Sequence, residues 1–231
     1  MRVNVLQHTP NEGVGYIGEW AKERGHEVYI YHPYMNDGVL PLAEETDMLV
    51  ILGGPMNPDD EMPWIQSERQ LILVLMAQNK PIYGACFGAQ QISKALGYAV
   101  LKSPVKEVGW DDVYLESEII PNIPSRLKAL HWHEDMFQIP QQAELLFSGN
   151  HIRNQGFIID HHVIGLQFHF EPGPDDVREI VLNDAQYINH SILEQSAEDI
   201  LAFEVPKQNR QAIFRILDFI TQAQDVSCIL K

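Results

Sequence analysis

Short hydrophobic runs alternate with amphipathic helical patterns along the N-terminal half of the chain. Strand-length runs rich in Val, Ile, Leu and Tyr occur at residues 3–7, 27–31, 48–52 and 82–84. Helical periodicity covers residues 14–24, 61–79 and 89–96. Strands separated by helices form parallel sheets that are covered on both faces. The pattern therefore predicts a three-layer, flavodoxin-like α/β fold.

The pattern changes after residue 108. Strand-like segments at residues 109–115, 145–148, 155–160 and 163–168 are joined by short turns, which predicts an antiparallel section of the sheet. Helical patterns return at residues 175–190, 191–203 and 208–221. We therefore expect an open, mixed and mostly parallel sheet with flanking helices in a domain of residues 1–185. Residues 186–231 are expected to form a helical extension that packs on this domain, and its apolar faces either cover the sheet or contact a second copy of the chain.

Composition narrows the classes of function. The 231 residues are 45% hydrophobic and 21% charged, as in a globular protein with a real core. Sixteen Lys and Arg against 32 Asp and Glu give a net charge of −16, which argues against binding to nucleic acid or to anionic membranes. No apolar run approaches the length of a membrane span, and no secretory signal opens the chain. Two cysteines make no disulfide framework, so we expect a cytoplasmic protein with reduced thiols.

The most informative segment surrounds Cys86. A predicted strand ends at Gly84, and a predicted helix begins after Gly88. Small residues two before and two after the cysteine permit the sharp strand-to-helix turn that presents a nucleophile above a sheet. The helix N-terminus favours the thiolate of Cys86, and the N–H of Phe87 is free to face an oxyanion. The same residues also fit a buried structural cysteine, whereas Cys228 lacks any such context.

A thiolate nucleophile needs a base and a group that orients the base. His169 and Glu171 stand two residues apart in an apolar run that predicts a strand, so both side chains should project from one face. An edge strand with alternating residues would have the same pattern. Gly54, in a Gly-Gly-Pro turn after the third strand, is a candidate second oxyanion donor, although such a turn is weak evidence alone.

Together these segments resemble the class I glutamine amidotransferase family, and in particular the glutaminase part of GMP synthase. The resemblance rests on residues 53–55 (GGP), 84–90 (GACFGAQ) and 165–171 (GLQFHFE), in the family's order, and it extends over residues 1–185. It implies a triad of Cys86 as nucleophile, His169 as acid and base and Glu171 as the orienting carboxylate. Phe170 stands where the family usually has proline.

The resemblance implies further roles at the same site. Gly54 and Phe87 would form the oxyanion hole through their backbone N–H groups, and Gln90 would help to hold glutamine. His133 would lie in a loop before the catalytic histidine and line the glutamine pocket. The expected reaction is cleavage of the γ-amide of glutamine through a Cys86 thioester, with ammonia passed to a separate synthetase or acceptor partner.

Three alternatives stay open at this level. A γ-glutamyl peptidase would use the same triad with water as acceptor, and a non-catalytic binding protein could use the same fold. A metal site is the third, since the chain has ten histidines, but no Cys/His spacing completes a zinc set. No phosphate-binding loop is present either. We therefore expect no metal and no cofactor.

Overall fold

A nine-stranded sheet forms the centre of the computed structural model, which describes residues 1–35 and 38–227. Its strands are β1 (Arg2–Leu6), β2 (Glu27–Tyr31), β3 (Met48–Ile51), β4 (Ile82–Ala85), β5 (Val100–Leu115), β6 (Arg126–Phe137), β7 (Glu144–Gly149), β8 (Gly156–Ile159) and β9 (Val163–Leu166). The α-helices of this part of the chain are α1 (Gly15–Glu23), α2 (Pro63–Ala77), α3 (Phe87–Ala95), α4 (Pro174–Asn183), α5 (Ala197–Ala202) and α6 (Lys207–Ser227).

The strand order is β2-β1-β3-β4-β9-β8-β7-β5-β6. The first five strands in this order pair in parallel, and the strands from β9 to β6 pair antiparallel. Helices α1 and α2 form the crossovers from β1 to β2 and from β3 to β4, as parallel pairing requires, whereas the turn between β8 and β9 joins antiparallel neighbours. The predicted α/β fold with a mixed open sheet and flanking helices is confirmed.

The sheet lies between two layers of helices because its central strands are apolar on both faces. Along β3, Met48 and Val50 pack in the core that includes α1 and α6, whereas Leu49 and Ile51 pack against α2 and α3. All four side chains are fully buried. Burial of each such side chain contributes about 1.5–3 kcal/mol to the stability of the fold. The helices on each face of the sheet are therefore held by their own set of apolar contacts.

The C-terminal helices cover the remaining surfaces of the sheet. Helix α6 places Ile213, Ile216 and Ile220 in the same core as β1 and β3. Helices α4 and α5 pack over the antiparallel section, where Trp110 and Trp132 are buried. No helix in the described ranges is long and apolar enough to cross a membrane. Cys228 lies outside those ranges.

Three predicted segments differ from the structure. The expected loop around residue 133 is part of β6, a long strand that pairs with β5 through eleven register positions. The charged residues at both ends of β6 hid its alternating pattern. The helix predicted at residues 191–203 begins only at Ala197, because the Ser196 hydroxyl caps it by accepting from the Asp199 N–H at 3.1 Å. The helix predicted at 175–190 ends at Asn183 and continues as a short 3₁₀ turn, Ala185–Ile188.

Candidate active site

Cys86 occupies a strained turn between β4 and α3. Its φ of 50° and ψ of −108° lie in a region that few non-glycine residues adopt. The turn fits because Gly84 and Gly88 have no side chains. A Cβ at Gly84 would lie 2.7 Å from the Gly88 backbone, and one at Gly88 would overlap the Ile51 carbonyl. The Cys86 N–H donates to the Leu166 carbonyl at 2.7 Å, which anchors the turn to β9.

His169 and Glu171 lie together beside this thiol. The His169 Nδ1 is 2.5 Å from the Glu171 Oε1, and both side chains are almost completely buried. The His169 backbone is held by Leu130 of β6, whose carbonyl accepts the His169 N–H at 2.9 Å. With Nδ1 facing Glu171, the other ring nitrogen is left for the Cys86 thiol, and each of the two groups shifts the pKa of the other.

The prediction that His169 and Glu171 belong to a continuous strand was wrong. Strand β9 ends at Leu166, and His169 makes only an isolated bridge to Leu130. The two side chains meet because the backbone turns after the strand, which also lets the Phe170 N–H donate to the Glu171 Oε2 at 3.1 Å. Tyr83 of β4 supports the same oxygen, since its hydroxyl donates to it at 3.3 Å. The sequence pattern around Tyr83 does not distinguish it from an ordinary strand residue.

The charges and the burial around Cys86 and His169 shift the pKa values of both groups. Burial lowers the pKa of His169, but the Glu171 charge and the hydrogen bonds to Cys86 and Glu171 outweigh it and raise the pKa well above its ordinary value. Burial raises the pKa of the Cys86 thiol, while His169 and the Phe87 N–H lower it. The thiol and the imidazole therefore titrate as a coupled pair.

The backbone around Cys86 offers donors for an oxyanion. The Phe87 N–H is close enough to the sulfur to lower its pKa, as expected at the first residue of α3. Gly54 follows β3 and lines the same pocket as Cys86. A Cβ at Gly54 would lie 2.6 Å from the His8 Cβ, so a larger residue would displace this turn.

The thiol opens into a pocket of about 600 Å³. Gln90 lines it, and the Gln90 Nε2 donates to the Gln167 Oε1 at 3.3 Å, while the Gln167 Nε2 lies 3.7 Å from the Cys86 sulfur. Strand β6 forms the opposite wall, where the Trp132 carbonyl oxygen lies 3.8 Å from the same sulfur. His133 also lines the pocket, but from this strand and not from a loop.

Glu12 is a pocket residue that the sequence analysis missed. Its carboxyl group lines the pocket and is buried beside Gly53, where a Cβ would overlap the Glu12 Oε2 and lie 3.1 Å from the His169 Cε1. Among the described residues, the Oε2 has no hydrogen-bond partner. Burial, together with the Glu171 charge, raises the pKa of Glu12. The signal for it was its position in the loop after β1, at the carboxyl edge of the parallel strands.

A buried cluster of Glu107, His131 and His133 lies behind the β6 wall. Burial raises the pKa of Glu107, but the two imidazoles outweigh it and hold that pKa well below the usual range. Burial lowers the pKa of His133. Glu107 is far from the two histidines in the sequence, and only the pairing of β5 with β6 brings its side chain to theirs. These three residues are the described side chains that could hold a metal ion.

Comparisons with known proteins agree with this geometry. The family profile described as "Glutamine amidotransferase class-I" matches residues 17–185. A solved structure of a glutamine amidotransferase from Thermotoga maritima superposes with a TM-score of 0.87 at 26% identity, over 96% of this chain and 98% of that one.

Three curated proteins are similar over different lengths. The glutamine amidotransferase-like protein YfeJ of Salmonella typhimurium is 30% identical over 96% of this chain and 98% of its own. Gamma-glutamyl peptidase 4 of Arabidopsis thaliana is 28% identical over 63% of this chain and 62% of its own. One subunit of the glutamine-hydrolysing GMP synthase of Sulfolobus acidocaldarius is 30% identical over 55% of this chain and 69% of its own. With its elbow cysteine, its paired histidine and glutamate and a profile match over most of its length, this chain belongs to the class I glutamine amidotransferase family.

Proposed function

We propose that this protein hydrolyses the γ-amide of glutamine through a glutamyl thioester on Cys86. One observation carries the proposal: a single buried thiol, at a strained elbow, has the His169–Glu171 pair on one side and the Phe87 N–H on another, and it faces a pocket. A structural cysteine would need neither the strain nor the oriented base. The cytoplasm, where thiols stay reduced, is the compartment that suits this chemistry.

The chemistry follows from the positions of these groups. His169 takes the thiol proton, and the Cys86 sulfur attacks the γ-carbonyl carbon while Gly54 and Phe87 N–H groups stabilise the oxyanion. His169 then gives its proton to the leaving nitrogen, so ammonia departs and the acyl group stays on sulfur. Water attacks this thioester, His169 takes the water proton and returns it to the sulfur, and glutamate leaves. Glu171 holds the imidazole in one tautomer through both half-reactions.

The pocket walls supply candidates for substrate recognition. Gln90 lies one helical turn after the nucleophile, and its amide is held by Gln167, so its remaining polar groups can hold the glutamyl moiety. His133 lies in the opposite wall, where the Asp135 carbonyl oxygen faces its Nδ1 and the Glu107 carboxylate faces its Nε2. We therefore place Gln90 at the glutamine-binding end of the site and assign His133 to the shape of the wall, not to a polar contact with the substrate.

We assign the ammonia to a separate acceptor partner. Support comes from the similarity to the GMP synthase of Sulfolobus acidocaldarius, in which the similar protein is named as one subunit of a glutamine-hydrolysing enzyme. A glutamine hydrolase that serves a synthetase wastes ammonia when it works alone. We therefore expect that free glutamine is turned over slowly until the partner is present.

A second candidate is hydrolysis of γ-glutamyl peptides with water as the only acceptor. The observation that favours it is the pocket of about 600 Å³, a volume in the range of sites for larger ligands than one amino acid. The similarity to gamma-glutamyl peptidase 4 points the same way. The triad would act as described above, with a peptide amine as the leaving group in place of ammonia.

Trapping the acyl-enzyme tests the shared mechanism. Wild-type protein incubated with glutamine or a γ-glutamyl dipeptide should yield γ-glutamyl hydroxamate when hydroxylamine is added, and intact mass spectrometry should detect the glutamyl adduct. Cys86→Ala should yield neither, whereas the matched thiol control Cys228→Ala should behave as wild type. Equal turnover by wild type and Cys86→Ala would refute the proposal.

Comparing substrates separates the two candidates. Glutamine turnover that appears only when cell extract or a co-purifying synthetase is added supports the partner-dependent amidotransferase. Rapid hydrolysis of γ-glutamyl dipeptides by pure protein, unchanged by extract, supports the peptidase.

A further inference from the structure

A second group of chemistry-bearing residues lies outside the triad. Glu107 of β5 pairs directly with His133 of β6, and His131 stands two residues before His133 on the same face of its strand. The three side chains are fully buried or nearly so, with exposed fractions of 0–2%. Burial of a carboxylate and two imidazoles is costly unless each is paired or bound to a cation.

The three facing atoms form a nearly equilateral triangle. The His133 Nε2 is 3.1 Å from the Glu107 Oε2, the His131 Nδ1 is 3.6 Å from that oxygen, and the two nitrogens are 3.4 Å apart. Ligand atoms around a tetrahedral zinc ion, with bonds of about 2.0–2.2 Å, lie about 3.3–3.6 Å from one another. We propose that Glu107, His131 and His133 bind a divalent zinc-type cation, with the fourth position of the ion left to a non-protein ligand.

The direction of the His133 ring supports this assignment. Its Nδ1 lies 3.1 Å from the Asp135 carbonyl oxygen, and because a carbonyl can only accept, the Nδ1 carries a proton. In the neutral ring the Nε2 then presents a lone pair to the Glu107 carboxylate, which also presents lone pairs. A proton or a metal ion can lie between two such atoms 3.1 Å apart, and the His131 Nδ1, at a similar distance from both, gives the trigonal arrangement that fits a metal ion. A ligating histidine that donates its other N–H to a backbone carbonyl is the usual arrangement at metal sites.

The outer contacts also resemble those of a metal site. The Gln155 Nε2 donates to the Glu107 Oε2 at 2.7 Å, which orients the carboxylate. Among the described residues, the Glu107 Oε1, the His131 Nε2 and the Gln155 Oε1 have no hydrogen-bond partner. The free Glu107 oxygen could become a second ligand atom of the ion. Hydrogen bonds within the cluster therefore leave unpaired one carboxylate oxygen that an ion would pair.

The cluster adjoins the pocket but is separate from the triad. His133 lines the pocket, which gives an ion a route to the cluster. Between the two histidines lies Trp132, whose carbonyl oxygen is 3.8 Å from the Cys86 sulfur. A bound ion would therefore rigidify the β6 wall opposite the thiol. The proposal does not depend on the reaction that Cys86 performs.

Zinc binding is best measured in a protein that lacks the competing thiol. The Cys86→Ser variant, stripped with a chelator and then given one to two equivalents of zinc chloride, should retain about one zinc per chain after gel filtration. Elemental mass spectrometry gives the stoichiometry. Cobalt(II) in place of zinc should give strong visible absorption of a tetrahedral ion without a thiolate charge-transfer band.

Matched variants in the same background locate the ligands. Glu107→Gln and His131→Gln keep polar side chains of similar size and should lose the stoichiometric zinc, while Gln155→Ala should weaken zinc binding by roughly 10–100-fold. The control His161→Asn changes an exposed turn histidine and should bind as the background does. Failure of the Cys86→Ser protein to retain zinc, or full retention by both ligand variants, would overturn the site. The cobalt spectrum is recorded on the Cys86→Ser protein, which keeps all three proposed ligands. It therefore tests the site even if a ligand variant fails to fold.

Discussion

The Tyr83 hydroxyl on β4 donates a hydrogen bond of 3.3 Å to the Glu171 Oε2, so the strand that leads to Cys86 also supports the carboxylate that is paired with His169. Tyr83 is fully buried, and burial together with the adjacent Glu171 raises its pKa well above 10, which keeps the hydroxyl a donor. One side chain thus links the cysteine and histidine halves of the site.

Tyr83→Phe removes this donor and leaves Glu171 with the Phe170 N–H and the His169 ring. We expect a loss of stability of about 0.5–1.5 kcal/mol, the usual net value of one hydrogen bond, and a lower kcat with little change in KM, because Tyr83 acts through Glu171. Denaturant unfolding and steady-state kinetics measure the two effects. Phe157→Leu offers a control in the other core, since it alters apolar packing without touching the triad. A Tyr83→Phe enzyme with unchanged kcat would exclude the positioning role.

Glu171→Gln tests the electrostatics of the triad through the pH dependence of kcat/KM. The Glu171 charge raises the pKa of His169, so the protonated imidazole persists above the ordinary histidine range and the acidic limb of wild type lies above pH about 6.5. Loss of this charge lowers the pKa of His169. The acidic limb should therefore move to lower pH, while the plateau falls by about 10²- to 10⁴-fold.

His169→Ala is the matched comparison for this variant. It removes the base itself, so its activity should be lower than that of Glu171→Gln at every pH. An acidic limb that stays in place in Glu171→Gln would show that another group controls it.

The positions of Cys86, His169 and Glu171 could be predicted from sequence because their motifs follow two strands, β4 and β9, at the same edge of the sheet. The strand-to-helix switch at Cys86 is marked by Gly84 and Gly88, and the His169–Glu171 spacing survives the early end of β9. Their short distance in space depends on neighbouring strands β4 and β9, which parallel pairing supplies.

Other residues of the candidate site could not be predicted from the sequence. Glu107 becomes a site residue only because it pairs with His133 across β5 and β6. The alternating pattern of β6 was obscured by the charged residues at both of its ends, so this pairing could not be predicted. Glu12 lies in a polar loop, and its burial beside Gly53 arises from tertiary packing. Tyr83 has the sequence context of an ordinary strand residue, and only the contact of its hydroxyl with Glu171 marks it as part of the site. In each case the function depends on a contact between elements.

Gly88→Ala tests whether the elbow requires a residue without a side chain. A Cβ at this position would overlap the Ile51 carbonyl oxygen, which cannot move without disturbing β3. We expect a loss of stability of about 1–3 kcal/mol or more, as for overpacked cores, and loss of activity because Cys86 is displaced. The matched control is Gly13→Ala, where the nearest atom would be 3.5 Å away, and the change in stability should stay within about 0.5 kcal/mol. Similar thermal unfolding of the two variants would contradict this account.

Glu12→Gln should raise the stability of the folded protein and lower its catalytic activity. Burial raises the pKa of Glu12, so the folded state disfavours its ionised form, and stability is lost as pH rises from the unfolded value of about 4.3 toward the raised folded value. Glutamine carries no such penalty. The variant should therefore unfold at a higher temperature than wild type near neutral pH, and this advantage should shrink as the pH falls below about 4.

Activity should change in the opposite direction. The Glu12 side chain lines the pocket near His169, and its buried Oε2 has no hydrogen-bond partner among the described residues. An amide in its place cannot accept a proton or carry a negative charge, so kcat should fall while the protein becomes more stable. Thermal unfolding across pH 4–8 and steady-state rates on one preparation measure both effects. The exposed Glu118→Gln serves as the control and should alter neither, and a Glu12→Gln protein with wild-type kcat would mean that the buried carboxyl takes no part in turnover.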